Sequence, residues 1–192
     1  VAIVSARELI PYLADAVPGW FQATLALYDA KGKELAYDDD FRFHPDPVLH
    51  CEIPEDGDYV IEIKDAIYRG REDFVYRITV GELPFVTSLF PLGGKAGDST
   101  TVTLKGWNLP ATTLTKENKA GGVHSVSVSK DARVSNALPF AVDTLPESLD
   151  QEPNNESEQA QKLTLPIIVN GRIDQPGDAD VFHFEGRAGD EI

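Results

Sequence analysis

Residues 59–64 read YVIEIK, a stretch of alternating apolar and polar side chains that decides the fold class of this chain. Tyr59, Ile61 and Ile63 fall on one face of an extended strand, and Glu62 and Lys64 fall on the other. This alternation is typical of a sheet with one buried face and one solvated face. The stretch therefore predicts β-structure.

Similar short runs extend this prediction along the first part of the chain. The 13 Pro and 15 Gly among 192 residues favour many short strands joined by turns. Helical turns are predicted only at Leu9–Ala14 and Ser157–Lys162. Strand-like runs precede residue 84 at Ala2–Ser5, Gln22–Tyr28, Val48–Ile53, Tyr59–Asp65 and Phe74–Val80. We therefore predict an all-β fold.

A second group of strand-like runs follows, and a polar stretch ends it. The group starts at Pro84-Phe85-Val86, alternates again in TTVTL at 100–104, and closes at Pro139–Val142. Residues 146–156 are rich in proline and acidic side chains and lack an apolar period, which indicates a boundary. The predicted divisions are 1–83, 84–145 and 146–192.

Composition excludes some classes of partner. The 32 acidic residues against 17 basic ones give a net charge of −15, which disfavours nucleic acid and favours divalent cations. No apolar run approaches the roughly 20 residues that span a bilayer, so no membrane insertion is expected. Cys51 is the single cysteine, which excludes an intrachain disulfide. Its alternation with Leu49 and Ile53 predicts a buried core thiol.

The two ends of the chain continue one pattern. Residues 174–192 read DQPGDADVFHFEGRAGDEI, and residues 1–14 read VAIVSARELIPYLA. Placed end to end, they alternate strand, turn and strand, so the chain is expected to begin and end inside the same kind of domain. Whether the strand near Phe182–Phe184 pairs with the strand near Ala2–Ser5 is left open by the sequence. Each end is then an incomplete folding unit. With neither an initiator Met nor a signal peptide, the chain is expected to be a piece of a longer protein.

Spaced motifs at both ends carry a family resemblance. In the last segment they are Glu152-Pro153-Asn154-Asn155, Gly171, Gly177–Phe184 and Ala188-Gly189-Asp190. In the first segment they are Ala23–Leu35, Asp38-Asp39-Asp40, Pro54–Tyr59 and Asp73–Ile78. Read as 152–192 followed by 1–81, they resemble one bacterial pre-peptidase C-terminal (PPC) domain, a family that includes the collagen-binding modules of bacterial collagenases.

The middle segment carries a second resemblance. Its motifs are Pro84–Pro91, Gly97–Gly106 and Ser135-Asn136, which resemble the immunoglobulin-like IPT/TIG fold. Together the two resemblances imply a jelly-roll-like β-sandwich built from both chain ends and a small immunoglobulin-like β-sandwich. The half-domains are expected to close within one chain, giving a monomer. A dimer that swaps half-domains is the alternative.

Oxygen donors are concentrated at the start of the last segment. Glu152, Asn154 and Asn155 lie within four residues, and Asp178 and Asp180 share one turn. Calcium binds six to eight such oxygens. The resemblance to collagenase modules implies that these five residues meet around calcium. The family often has Asp where this chain has Asn155, which implies a reduced affinity. Turn capping by Asn and Asp is the alternative.

Other candidate residues have simpler expected roles. Asp38-Asp39-Asp40 with Asp46 is expected to be a solvated loop, with a cation site as the alternative. Trp20 and Trp107 are residue types that stack on sugar rings, but Trp107 is expected to pack at a strand end. HExxH, GxGxxG, the Walker loop and the nucleophile elbow do not occur in the sequence, so we do not expect an enzyme.

These expectations combine into one functional prediction. The chain is expected to be a non-catalytic binding or spacer module of a larger bacterial protein, secreted or at the cell surface. It would bind matrix polymer, polysaccharide or adjacent domains, or position a peptidase. A structural assembly unit that pairs through its half-domains is one alternative, and a hydrolase fragment is another.

Overall fold

The computed structural model describes residues 1–5, 21–42 and 44–191. Regular structure in these residues is β-strand apart from a 3₁₀ turn at Ser157–Gln159, which confirms the all-β prediction. The predicted helical turn at Leu9–Ala14 lies outside the described residues. In the described part of the chain, no helix is long and apolar enough to cross a bilayer. The chain divides into two compact units, Val1–Leu83 and Pro84–Ile192.

The first unit consists of two sheets that enclose one core. Its strands are β1 (Ala2–Ser5), β2 (Ala23–Asp29), β3 (Glu34–Asp38), β4 (Val48–Leu49), β5 (Tyr59–Asp65) and β6 (Arg77–Val80). The sheet orders are β4-β1-β6 and β3-β2-β5, and all pairs are antiparallel. Val4 and Leu25 contribute to the core from facing sheets, and Ile61 and Ile63 pack against it as the alternation in β5 predicts.

The strand around Cys51 is shorter than the sequence predicts. β4 ends at Leu49, so the alternation stops there. Leu49 is buried, Cys51 is half-buried against the same core, and Ile53 is exposed. The prediction that all three side chains share one buried face is therefore wrong for Ile53.

The second unit begins with a sandwich of its own. Its strands are β7 (Phe85–Phe90), β8 (Gly93–Lys95), β9 (Ser99–Trp107), β10 (Thr113–Glu117), β11 (Gly122–Val126), β12 (Ser129–Lys130), β13 (Arg133–Val134) and β14 (Leu138–Asp143). Sheets β10-β9-β7 and β11-β14-β8 enclose a core that includes Val102, Leu104 and Phe140. Trp107 stacks on Phe85 at the end of β9, with ring centroids 5.4 Å apart, as expected.

Short strands complete the second unit. They are β15 (Glu147–Leu149), β16 (Gln161–Lys162), β17 (Ile168–Asn170) and β18 (Phe182–His183), and they form the parallel pairs β15-β17 and β16-β18. β1 pairs with β4 on one side and with β6 on the other. Within residues 1–83, both edges of β1 are therefore paired. Closure of the half-domains, within one chain or between two, stays a prediction.

Gly106 marks the closest approach of β7 and β9. A Cβ on Gly106 would collide with the carbonyl oxygen of Phe85, beside the β-bulge of β7. We expect Gly106→Ala to destabilise the second unit by about 1–3 kcal/mol, because backbone cannot yield as a side chain can. Gly121→Ala is the control, since a Cβ there would lie 3.7 Å from its nearest contact. Equal urea midpoints for the two variants would contradict this prediction.

Candidate metal centre

The candidate metal centre lies where two parallel strands end. Leu149 of β15 pairs with Asn170 of β17, so Asp150 and Gly171 leave the two strands side by side. The Asp150 N–H donates to the Asn170 carbonyl at 3.0 Å, and Asp150 Oδ2 accepts the Arg172 N–H at 3.2 Å. These bonds fix the Asp150 carboxylate beside Gly171.

Three carboxylates converge at this point. Oxygens of Asp150, Glu152 and Asp180 all lie within 4.8 Å of one another. Asp150 and Asp180 are half-buried and Glu152 is exposed, so the group is open to solvent on one side. Glu152 is oriented locally, because its Oε2 accepts the Asn154 N–H at 3.0 Å.

Hydrogen bonds bring the 152–155 segment and the 177–180 turn together. The Asn154 carbonyl accepts the Val181 N–H at 3.0 Å, and Asn155 Oδ1 accepts the Ala179 N–H at 2.8 Å. Two segments more than 20 residues apart in sequence are thereby joined. This contact is what places Asp180 next to Glu152.

Buried oxygens without a hydrogen-bond partner surround the same turn. The Asn154 side chain is 0% exposed, and neither its Oδ1 nor its Nδ2 has a partner. Oδ1 of Asp178 and Oδ1 of Asp180 are also buried without a partner. Buried polar atoms are normally hydrogen-bonded, and these three unsatisfied oxygens are of the type that coordinates a hard cation.

The electrostatics point the same way. Burial raises the pKa of Asp180 above its usual value, and the charges of Asp150, Asp178 and Asp174 raise it further. Each of these causes disfavours the ionised carboxylate. A bound cation would reverse the effect, because it stabilises the charged form.

Gly171 leaves the space that the carboxylates occupy. A Cβ on this residue would lie 2.8 Å from Asp180 Oδ2 and 3.5 Å from Asp150 Cγ. Any larger residue would push the Asp180 carboxylate away. The donor set, the unsatisfied oxygens and this space together fit a hard cation with oxygen ligands.

The five predicted ligands have different places in this arrangement. Glu152 and Asp180 belong to the carboxylate group. Asn154 is fully buried and lies two residues after Glu152 in the sequence. Asp178 Oδ2 accepts the Asp174 N–H at 2.8 Å, whereas Asp178 Oδ1 has no hydrogen-bond partner. Asn155 uses Oδ1 to hold the turn, and its direct binding of metal stays a prediction.

Asp150 is the member of the group that the sequence prediction missed. It stands two residues before Glu152, a spacing that puts both side chains on one side of an extended chain. That spacing was an available signal. Only the pairing of β15 with β17, however, places Asp150 beside Asp180.

The second acidic cluster has a structural role in the described residues. Asp38 Oδ2 accepts the Val48 N–H at 2.7 Å, and Asp39 and Asp40 are exposed. Burial, more than the neighbouring charges, raises the pKa of Asp38. No convergent group of these carboxylates occurs among the residues that the structure describes. Asp46 is buried and Asp38 is half-buried, so the predicted solvated loop fits only Asp39 and Asp40.

Comparison with protein-family models, with curated proteins and with solved structures found no match for this chain. Functional inference therefore depends on the geometry of these residues.

Proposed function

We propose that this chain is a calcium-stabilised, non-catalytic binding or spacer module of a larger bacterial protein, secreted or at the cell surface. The observation that supports this most is the convergence of the Asp150, Glu152 and Asp180 carboxylates beside the unsatisfied, fully buried Asn154. In this proposal the 1–83 and 146–192 segments are PPC-type half-domains, and residues 84–145 are an IPT/TIG-type domain.

Calcium suits the site better than zinc. The donors are carboxylate and amide oxygens, whereas zinc prefers nitrogen and sulfur. Asn155 stands where an acidic residue would add charge, and Glu152 is exposed. Both features favour a modest affinity, of the order of 10⁻⁴–10⁻³ M as in extracellular calcium modules. Such a site fills outside the cell, where calcium is abundant.

Calcium is expected to raise the thermal stability of the second unit. At a hundredfold excess over Kd, binding adds about 2.7 kcal/mol, which raises the unfolding midpoint of a unit of about 100 residues by about 10 °C. Asp180→Asn is expected to reduce this rise. In chelator the same variant is expected to be more stable than the wild type, because it removes a carboxylate whose ionised form is disfavoured by burial and by the charges of Asp150, Asp178 and Asp174. Differential scanning calorimetry with and without calcium measures both effects.

Two further variants sharpen this test. Gly171→Ala displaces the Asp180 carboxylate without changing charge, so it is expected to weaken the calcium response. Glu158→Gln removes an exposed charge of the 3₁₀ turn and is expected to respond like the wild type. Identical midpoints of the wild type in calcium and in chelator would contradict the calcium site. Turnover of peptide or ester substrates would contradict the non-catalytic assignment.

A structural assembly unit is the second candidate function. The last segment has only two-stranded ribbons among its described residues, and it exposes Leu149, Ile173 and Phe184. Exposed apolar side chains on short open ribbons favour coverage by a further protein segment. A stable dimer in light scattering would support this candidate. A monomer mass at every concentration would support the spacer module instead.

A further inference from the structure

The outer face of the β3-β2-β5 sheet carries a group of residues that the core does not use. In the register of this sheet, Tyr37 lies opposite Ala26, and Ala26 lies opposite Glu62. The next row places Tyr28 opposite Val60, and the row on the other side places Thr24 opposite Lys64. Side chains on alternate positions face the core, so these face away from it.

This outer face is exposed at its margins and covered by larger side chains at its centre. Tyr37 is 49% exposed and Val60 is 57% exposed. Ala26 and Thr24, on the central strand between them, are small and buried. These small residues let the Tyr37 side chain reach across β2, where it hydrogen-bonds with the Thr24 side chain.

A row of hydrogen-bonded polar groups follows β5 along this face. The Tyr28 hydroxyl donates to Glu62 Oε1 at 3.4 Å, and Lys64 Nζ donates to the same oxygen at 2.8 Å. Glu62 and Lys64 keep 43% and 40% of their side chains exposed, so they retain capacity for a further partner. Their mutual contacts order donors and acceptors before any ligand arrives.

Tyr68 extends the row on a rigid turn. It is 84% exposed, its φ is +61°, and Lys64 Nζ lies 5.9 Å from its ring centroid. A left-handed backbone is unfavourable for a bulky residue and requires support from its surroundings. Asp65 provides that support, because its Oδ2 accepts the N–H groups of Ile67 and Arg69. The turn therefore holds an aromatic ring in solvent.

We propose that this outer face, defined by Tyr28, Tyr37, Val60, Glu62, Lys64 and Tyr68, binds a neutral polysaccharide chain. The proposal rests on the binding-module function proposed above and names its ligand class. Exposed tyrosine rings stack on the apolar faces of sugar rings, and the Glu62–Lys64 pair offers an acceptor and donors to hydroxyl groups.

Charge selects a neutral polymer over an acidic one. Glu62 and Lys64 pair with each other, so these two side chains add no net charge to the face. The acidic Glu34 and Asp39 border it and raise the pKa of Tyr37, after the larger effect of burial. The whole chain carries −15. A polyanion would be repelled, whereas hydroxyl groups can donate to the surrounding carboxylates.

Affinity electrophoresis tests this proposal on the full chain. The probes are soluble xylan, β-glucan and hydroxyethyl cellulose, with polygalacturonate and heparin as polyanions and fibrillar collagen as a protein ligand in pull-down. We expect retardation by at least one neutral polymer. Tyr37→Ala and Tyr68→Ala are each expected to weaken it about tenfold, and the double variant to abolish it. Tyr37→Phe keeps the ring and is expected to retain most of the binding.

Controls separate this proposal from the calcium proposal. Tyr76→Ala removes a half-exposed tyrosine outside the β3-β2-β5 sheet and is expected to bind like the wild type. Polymer binding is expected to persist in chelator, because the face belongs to residues 1–83 and the proposed calcium ligands do not. The calcium proposal is tested separately, by the unfolding midpoint. Absence of binding to every neutral polymer would overturn the proposal. Preferential binding of polyanions or collagen, or retardation that survives the double variant, would also overturn it.

Discussion

Asp65→Asn is expected to destabilise the 1–83 unit by about 3–5 kcal/mol, the usual effect of breaking a buried ion pair. Asp65 is 3% exposed. Its carboxylate accepts Arg69 Nε and Nη2, both at 2.9 Å, and the N–H of Gln22 at 3.2 Å. Asn keeps one acceptor oxygen and removes the negative charge that faces the Arg69 guanidinium. Urea unfolding followed by circular dichroism measures the loss.

Asp73→Asn is the matched control for this prediction. Asp73 pairs with Arg71 at 2.9 Å, but the Arg71 and Asp73 side chains are 60% and 45% exposed. Exposed pairs contribute about 0–1 kcal/mol, so this variant is expected to unfold near the wild-type midpoint. Similar losses for the two variants would show that burial of the Asp65–Arg69 pair has no special effect.

The same pair makes the first unit sensitive to acid. The hydrogen bonds from Arg69, chiefly those of its side chain, lower the pKa of Asp65 from 3.8 to about 2. A lowered folded-state pKa stabilises the fold above the unfolded-state value, and this stabilisation is lost as the pH falls from about 4 to about 2. The amount is roughly 2 kcal/mol. The Asp65→Asn variant should lack this part of the pH dependence, and equal slopes would contradict the assignment.

Phe140→Ala is expected to destabilise the second unit by about 3–5 kcal/mol. Phe140 is fully buried between the two sheets of that unit, where Val102, Leu104 and Val142 belong to the same core. Truncation leaves a cavity that close-packed strands cannot fill. Hydrogen exchange is expected to increase in peptides from 84–145.

Val123→Ala is the control for Phe140. Val123 lies on β11 and pairs with Ala141, the residue that follows Phe140 on β14. Its side chain is exposed to solvent. Surface substitutions of this kind usually change stability by less than about 0.5 kcal/mol. A loss as large as that of Phe140→Ala would contradict the position of the core.

Sequence alternation predicted strands best where one face is apolar without interruption. β1 and β5 have the predicted bounds, and β2 differs by one residue at each end. β3 was missed, because Glu34 and Asp38 place charges at both of its ends. Its hydrogen bonds to β2, which include a register shift at Leu27 and Tyr28, form only when the hairpin closes.

Aromatic residues show the same limit. The sequence singled out tryptophans as candidates for sugar stacking, but Trp107 packs on Phe85 and Trp20 lies outside the described residues. The tyrosines of the outer face carried no local signal. Tyr37 and Glu62 lie in one row of the sheet, on either side of Ala26, because of the register of two strand pairs. Residue type alone does not reveal that register.

By itself, the sequence determined the all-β class, because period-two alternation leaves an extended strand as the arrangement that buries one apolar face. It also placed Glu152 and Asp180 among the candidate metal ligands, because side chains with oxygen donors are concentrated in two short motifs. Tertiary structure alone decided that Asp150 joins them and that β1 lies between β4 and β6. The position of Asp150 and the strand order around β1 depend on hydrogen bonds between segments that are distant in sequence. These bonds form only when the chain folds, so no local sequence pattern reveals them.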